Sequence, residues 1–131
     1  MPRTTRKIGF LCAFLLLAGC PNPTLLLPGK QLVGPTESVD SFAFAQQFSV
    51  LQLELNPDQP YSVNLRVTVI DGNLYIDASK QRRWYRHLKE NNQVRIKLGS
   101  VIYTAKAVVE HRGEVTRQFL SKHIVFRLEP F

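Results

Sequence analysis

The chain has 131 residues, with 17 Lys and Arg against 10 Asp and Glu and a formal net charge of +7. That length suits a single domain. The positive balance favours anionic surfaces, but it falls far short of the clustered charge of nucleic-acid-binding proteins, so nucleic acid is excluded as the expected partner.

Residues 1–19 are predicted to be a lipoprotein signal peptide. A positively charged start precedes an apolar run over 8–18, and the tetrapeptide Leu17-Ala18-Gly19-Cys20 follows. This run is too short to cross a bilayer, which needs about 20 apolar residues. The tetrapeptide resembles the lipobox of bacterial lipoproteins. The resemblance implies cleavage before Cys20, a diacylglyceryl group on its thiol and a fatty acid such as palmitate on the new terminus. The alternatives are an ordinary signal peptide, or an uncleaved anchor, in which Cys20 is incidental.

A lipid on Cys20 would also determine where in the cell the protein is located. It would hold the chain on a membrane of the bacterial cell envelope, and Pro21 after Cys20 favours the outer membrane where two membranes exist. Cleavage would remove Cys12 and three cations, leaving 112 residues with a net charge of +4. With Cys20 lipidated, no thiol remains for a disulfide, so the core must hold by packing alone.

Residues 20–36 are predicted to form a tether, because Pro and Gly are frequent there and favour extended chain. The apolar triplet at 25–27 either docks on the domain or enters the lipid interface. The folded domain is predicted to occupy residues 37–131.

Alternation of apolar and polar residues predicts six strands in this domain. Val63, Leu65, Val67 and Val69 are expected to share one face of the second strand. The pair Asp71-Gly72 predicts a tight hairpin after it. The six predicted strands cover 50–55, 61–70, 74–79, 94–98, 101–111 and 124–128.

Two helices complete the prediction. The principal one covers 81–90, which contains no Gly, Pro or β-branched residue. A short helix is predicted over 114–122, with Val115, Phe119 and Leu120 facing inward. One principal helix, one short helix and six strands, mostly in hairpins, predict an α+β fold built on a small antiparallel barrel.

The helix over 81–90 is predicted to have two different faces. Trp84 and Leu88 are four residues apart and therefore lie on one face, where they can pack on the sheet. Arg82, Arg86 and Lys89 fall on the opposite side.

The start of this helix is the candidate anion site. Ser79 is expected to be the N-cap, since its hydroxyl can accept a hydrogen bond from a backbone N–H of the first turn. Free N–H groups and a partial positive charge at a helix start attract anions such as phosphate. Ser79, Lys80, Arg82 and Arg83 are therefore the candidate ligand-binding residues. The alternative is a solvated basic face with no ligand.

This order of elements resembles the flavin-binding split barrels, namely the pyridoxamine-phosphate-oxidase-like fold and its deazaflavin-dependent nitroreductase branch. The resemblance lies within residues 61–111. It is carried by residues 74–79, Lys80, Trp84, Leu88, Asn91, Asn92, Val94, Ile96, Gly99, Tyr103 and Ala107.

The resemblance implies a split β-barrel that holds FMN or a deazaflavin. The cofactor phosphate would lie near Ser79 and Lys80, with Arg82 and Arg83 as further contacts. The flavin ring would lie in a groove between two copies of the chain, as a homodimer, and Trp84 could stack on it.

Two functions are left open by the sequence. One is a non-catalytic binding or structural module, whose basic helix meets an anionic small molecule, a lipid headgroup or another envelope protein. The other is an FMN- or deazaflavin-dependent oxidoreductase. The deazaflavin branch carries glycines after Ser-Lys, where this chain has Gln81, Arg82 and Arg83, and this difference favours the non-catalytic module.

No catalytic residue and no metal site are predicted. His87, His111 and His123 do not have the spacing of metal ligands. No Ser lies in the sequence context of a nucleophile elbow.

Overall fold

The structure is a computed structural model that describes residues 29–111 and 113–131. The chain forms seven strands, which are β1 (Val50–Leu55), β2 (Tyr61–Arg66), β3 (Thr68–Ile70), β4 (Asn73–Ser79), β5 (Gln93–Leu98), β6 (Val101–Val109) and β7 (His123–Pro130). They make one antiparallel sheet in the order β2-β1-β5-β6-β7-β4-β3, curled into a half-barrel. This confirms the mostly-β split-barrel architecture, with seven strands in place of the six predicted.

The extra strand arises because the predicted strand over 61–70 divides at Val67. Strand β2 pairs with β1, whereas β3 pairs with β4, so two consecutive strands form the opposite edges of the sheet. The N–H of Val67 is donated to the carbonyl of Ser49 instead of to a strand partner. The predicted shared face is retained across this corner, since the valines and Leu65 of this run all pack against the interior core.

The helix α1 (Arg83–Glu90) begins two residues later than predicted. Ser79 is not its N-cap: Arg82 occupies that position and makes no capping hydrogen bond through its side chain. The Ser79 hydroxyl instead accepts a hydrogen bond from the N–H of Gln81 at 3.4 Å, and its carbonyl accepts one from Arg82 at 3.0 Å. A turn therefore separates β4 from α1. Trp84 and Leu88 are buried in the core, as their shared face predicts.

Two turns depend on positive φ angles. Asp71 and Gly72 have φ angles of 50° and 77° and join β3 to β4, which confirms the predicted hairpin. Gly99 has a φ of 62° between β5 and β6, and a Cβ there would lie 2.9 Å from Cε1 of Phe48. Glycine satisfies both the backbone conformation and this close approach.

The predicted helix over 114–122 is wrong. Only Thr116–Gln118 forms a 3₁₀ turn, and Leu120 is exposed by 67% instead of facing inward. The Thr116 hydroxyl accepts a hydrogen bond from the N–H of Gly113 and donates one to the Gly113 carbonyl. Such local side-chain bonding competes with helix formation.

The last part of the predicted tether lies on the sheet. We call residues 29–37 the strap. Its hydrogen bonds reach four neighbouring strands in succession. The N–H of Gly29 is donated to the carbonyl of Ser62 in β2, and the N–H of Leu32 is donated to the carboxylate of Glu54 in β1. The Lys97 ammonium of β5 donates to the carbonyl of Val33. In β6, the N–H of Ile102 is donated to the carbonyl of Pro35, and the Ile102 carbonyl accepts the N–H of Glu37.

The strap creates a second buried layer on the outer face of the sheet. Leu32 and Ile102 are 5% and 0% exposed, yet neither belongs to the interior core cluster. Glu54 is also buried there, where it accepts a hydrogen bond from the N–H of Leu32 at 2.6 Å and pairs with Arg95 at 3.1 Å. The triplet at 25–27, the signal region and Cys20 lie outside the described residues.

Candidate functional site

The basic helix α1 closes one side of the half-barrel. Trp84 and Leu88 hold it to the core, and the ring of Tyr85 lies 6.2 Å from that of Phe126 in β7. Arg82, Arg86 and Lys89 are exposed to solvent, as the sequence predicts.

On its other flank, α1 packs against Tyr61 of β2. The Arg83 guanidinium lies 5.5 Å from the centroid of the Tyr61 ring, and the His87 ring meets that ring edge-on at 5.4 Å. The Tyr61 hydroxyl is buried without a hydrogen-bond partner. Burial raises the pKa of Tyr61 above its usual value, and the nearby charges of Arg83 and Arg86 partly oppose this rise.

A groove of about 820 Å³ runs along the outer face beside β7, under the loop of residues 113–122. Phe119 of this loop lies 6.4 Å from Tyr75 of β4, so the loop shields part of the strand. The groove is lined by Lys80, Val109, Glu110, Gly113, Thr116, Arg117, Phe119, Leu120, Ser121, Lys122, His123, Ile124 and Val125.

Three carboxylates near this groove are already paired. Asp77 lies 2.5 Å from Nδ1 of His123, and Glu110 and Glu129 lie 3.1 and 2.7 Å from the guanidinium of Arg127. The hydrogen bond from Arg127 to Glu129 raises the pKa of the guanidinium further above its usual value. The groove is bordered by three cations, Lys80, Arg117 and Lys122, and the carboxylate that lines it, Glu110, is paired with Arg127.

The predicted site residues are divided between two surfaces. Lys80 lines the groove, after Ser79, which is half-buried at the end of β4. Arg82 is exposed at the start of α1, and Arg83 is stacked on Tyr61. Trp84 is 8% exposed and packs in the core.

Sequence reasoning missed the groove residues Arg117 and Lys122. Both lie in the stretch that the sequence assigned to a helix, and their placement beside Lys80 depends on the loop that replaces it. Two cations and two apolar residues within 117–122 were the available signal.

Within residues 29–111 and 113–131, no group of three or more His, Cys, Asp or Glu side chains could hold a metal ion. In the same residues, no helix combines the length and the apolar composition needed to span a membrane.

Comparison with known proteins finds that the chain is similar to several solved structures in fold. No protein-family model matches the chain, and no curated protein matches it by sequence. A protein assigned as a pyridoxamine 5′-phosphate oxidase from Listeria innocua superposes with a TM-score of 0.57 at 16% identity, covering 67% of this chain and 88% of the other.

Two further structures have the same architecture. A NimC/NimA family protein from Clostridium acetobutylicum matches with a TM-score of 0.53 and 19% identity, over 64% of this chain and 76% of that one. HutZ, the heme storage protein from Vibrio cholerae, matches with a TM-score of 0.51 and 20% identity, over 67% of this chain and 85% of that one. The described domain therefore has the fold of the pyridoxamine-phosphate-oxidase-like split barrels.

Proposed function

We propose that the protein is an envelope lipoprotein, anchored through Cys20, whose split barrel is a non-catalytic module that binds an anionic ligand or partner. The signal-like start and the tetrapeptide ending at Cys20 support the anchor.

The observation that carries the binding role is the set of cations without carboxylate partners. Among the described residues, the ion pairs engage Arg95, His123 and Arg127. The exposed cations of α1 and of the groove take no part in them. Exposed, unpaired positive charge attracts anions over about a Debye length, roughly 8 Å at physiological salt.

The alternative is a flavin-dependent oxidoreductase, which the groove and the fold favour. The volume of the groove falls in the range of small-molecule sites, about 300–1,000 Å³. Lys80 and Lys122 supply cations suited to a phosphate, and Phe119 supplies an aromatic surface suited to a ring. The residues present therefore fit such a ligand in chemical type. A flavin would supply the redox chemistry, and the protein its binding and orientation.

Two pairs of substitutions separate these functions. The groove pair is Lys80→Ala with Lys122→Ala, and the helix pair is Arg82→Ala with Arg86→Ala. Wild type and both variants are titrated with FMN, followed by flavin fluorescence, and separately with anionic vesicles. The visible absorption spectrum of the purified protein is recorded as well.

If the protein is a binding module, it is expected to be colourless and not to bind FMN. The helix pair of substitutions should then abolish its binding to anionic vesicles. A yellow protein whose FMN affinity falls in the groove pair but not in the helix pair would establish the oxidoreductase alternative. If the wild type binds neither ligand, the anion-binding function is wrong and the cations form a solvated surface.

A further inference from the structure

We infer that the partner of helix α1 is the anionic surface of the membrane that carries the lipid anchor, and that the strap keeps α1 near that surface by fixing the point where the tether leaves the domain. This inference rests on the proposed anchoring through Cys20 and names the partner of the basic helix.

The strap begins beside the basic helix. The N–H of Gly29 is donated to the carbonyl of Ser62 at 2.7 Å, at the free edge of β2. Tyr61 precedes Ser62 in β2, and the Arg83 guanidinium of α1 lies over the Tyr61 ring. Arg86 is close enough for its charge to lower the pKa of Tyr61. The point where the tether reaches the domain and the positive surface of α1 are therefore neighbours.

The tether is too short to let the domain turn away. Eight residues separate Cys20 from Gly29, and three of them are proline. A fully extended chain advances at most about 3.6 Å per residue, so the nine steps reach at most about 32 Å. A domain of about 100 residues has a radius of gyration of about 13 Å and is therefore about 34 Å wide. The domain therefore cannot turn so far that Gly29 lies on the side directly opposite the membrane.

The strap fixes the point where the tether leaves the domain. Its hydrogen bonds to β2, β1, β5 and β6 hold residues 29–37 on the sheet, so this segment does not add to the length of the tether. The buried Glu54 holds the middle of the strap through Leu32.

The charge of the end of the domain that holds Gly29 suits an anionic surface. Helix α1 and its N-cap carry four cations, Arg82, Arg83, Arg86 and Lys89, against the single carboxylate Glu90, and Lys30 is exposed at the start of the strap. A lipid chain combined with a basic patch is the arrangement by which membrane proteins gain a second, charge-dependent contact.

The test uses the full-length protein, purified from membranes and reconstituted through its own lipid. The vesicles are phosphatidylcholine, with or without one third phosphatidylglycerol. A fluorescent donor is attached at Glu90→Cys, and an acceptor is carried on the lipid headgroups. Energy transfer then reports how close α1 lies to the membrane surface.

Energy transfer is expected to rise when phosphatidylglycerol is present at 0.1 M salt. At 1 M salt, where the Debye length falls to about 3 Å, it should fall back to the value on phosphatidylcholine alone. Arg82→Gln with Arg86→Gln should lower the ratio of docked to undocked protein roughly 10- to 30-fold, from about 1 kcal/mol for each cation near the surface. The matched control, Arg66→Gln with Lys106→Gln, removes the same charge from exposed positions on β2 and β6 outside α1 and the groove, and should leave the transfer unchanged.

Equal transfer on neutral and anionic vesicles, or an equal loss in the control pair, would overturn the docking of α1. Failure of the anchor is seen separately. If the wild-type protein takes up thiol label at Cys20 or dissociates from phosphatidylcholine vesicles, the lipid is absent and the proposed placement of α1 at the membrane is lost with it. Circular dichroism melting of both pairs confirms that they are folded.

Discussion

The outer face of the sheet is covered differently on its two halves. Over β2, β1, β5 and β6, the strap buries Leu32 and Ile102 and encloses the carboxylate of Glu54. Beside β7, the loop of residues 113–122 covers Tyr75 through Phe119 but leaves a groove of about 820 Å³ with Leu120 exposed. One sheet therefore carries a packed half and an open half.

This difference indicates where stability and binding are located. The strap satisfies a buried acid with a backbone donor and a guanidinium, and such groups are costly to leave unpaired. The loop makes local hydrogen bonds between Gly113 and Thr116 and leaves its cations exposed. We expect substitutions under the strap to change stability, and substitutions along the groove to change ligand binding.

The largest effect is expected where both halves depend on the same side chain. Trp84 lies in the interior core that supports the whole sheet, so Trp84→Ala should lower the free energy of unfolding by about 3–5 kcal/mol. Chemical denaturation measures this loss, and Trp84→Phe is the control that keeps an aromatic ring. A loss under about 1 kcal/mol would mean that the ring is not a core residue.

The next effect tests the acid beneath the strap. Glu54→Ala removes the partner of Arg95 and the acceptor for the N–H of Leu32. The expected loss is about 2–3 kcal/mol, below the range for a fully buried pair because a third of the Arg95 side chain is exposed. Hydrogen exchange should increase over residues 29–37. Unchanged exchange there would contradict a strap held by Glu54.

A matched pair of leucines compares the two halves directly. Leu32 is 5% exposed and Leu120 is 67% exposed. Leu32→Ala should cost about 2 kcal/mol, at the lower end for a buried leucine because the strap can detach locally, whereas Leu120→Ala should stay within about 0.5 kcal/mol. Equal losses in thermal or chemical unfolding would remove the distinction between a packed and an open half.

The smallest effect concerns Tyr61, between the strap and α1. Its hydroxyl is buried without a partner, so Tyr61→Phe removes an unpaired polar group and should raise the free energy of unfolding at neutral pH by about 1 kcal/mol. Burial raises the pKa of Tyr61 in the folded protein above 10, the value in the unfolded chain. Its contribution is therefore fully present below pH 10 and is lost as pH rises through the folded pKa.

The wild type should accordingly lose stability more steeply than Tyr61→Phe above pH 10. Denaturation at pH 7 and at pH 10–11 measures the difference, and Tyr75→Phe is the aromatic control. Parallel curves for wild type and Tyr61→Phe would show that this phenol does not titrate with folding.

Much of the fold was predictable because it is encoded by near neighbours in sequence. Alternation identified β1, β4, β5 and β7, and Asp71-Gly72 identified the hairpin. The four-residue spacing of Trp84 and Leu88 identified the buried face of α1. The resemblance carried by residues 61–111 agrees with the solved structures in fold.

The candidate site was only partly predictable. The exposed cations Arg82, Arg86 and Lys89 follow from helical spacing alone. The separation of Lys80, in the groove, from Arg83, on Tyr61, does not follow, because it depends on the turn after Ser79 and on where β2 lies beside α1.

The sequence by itself determined the period of each strand, the apolar face of α1 and the positive charge of its other face, since these follow from side-chain direction along a local backbone. The tertiary structure decided three things: the division of residues 61–70 at Val67, the loop in place of a helix at 114–122, and the strap over the outer face. Each depends on partners far along the chain, such as Glu54 for Leu32 and Tyr75 for Phe119, and such pairings leave no local period in the sequence.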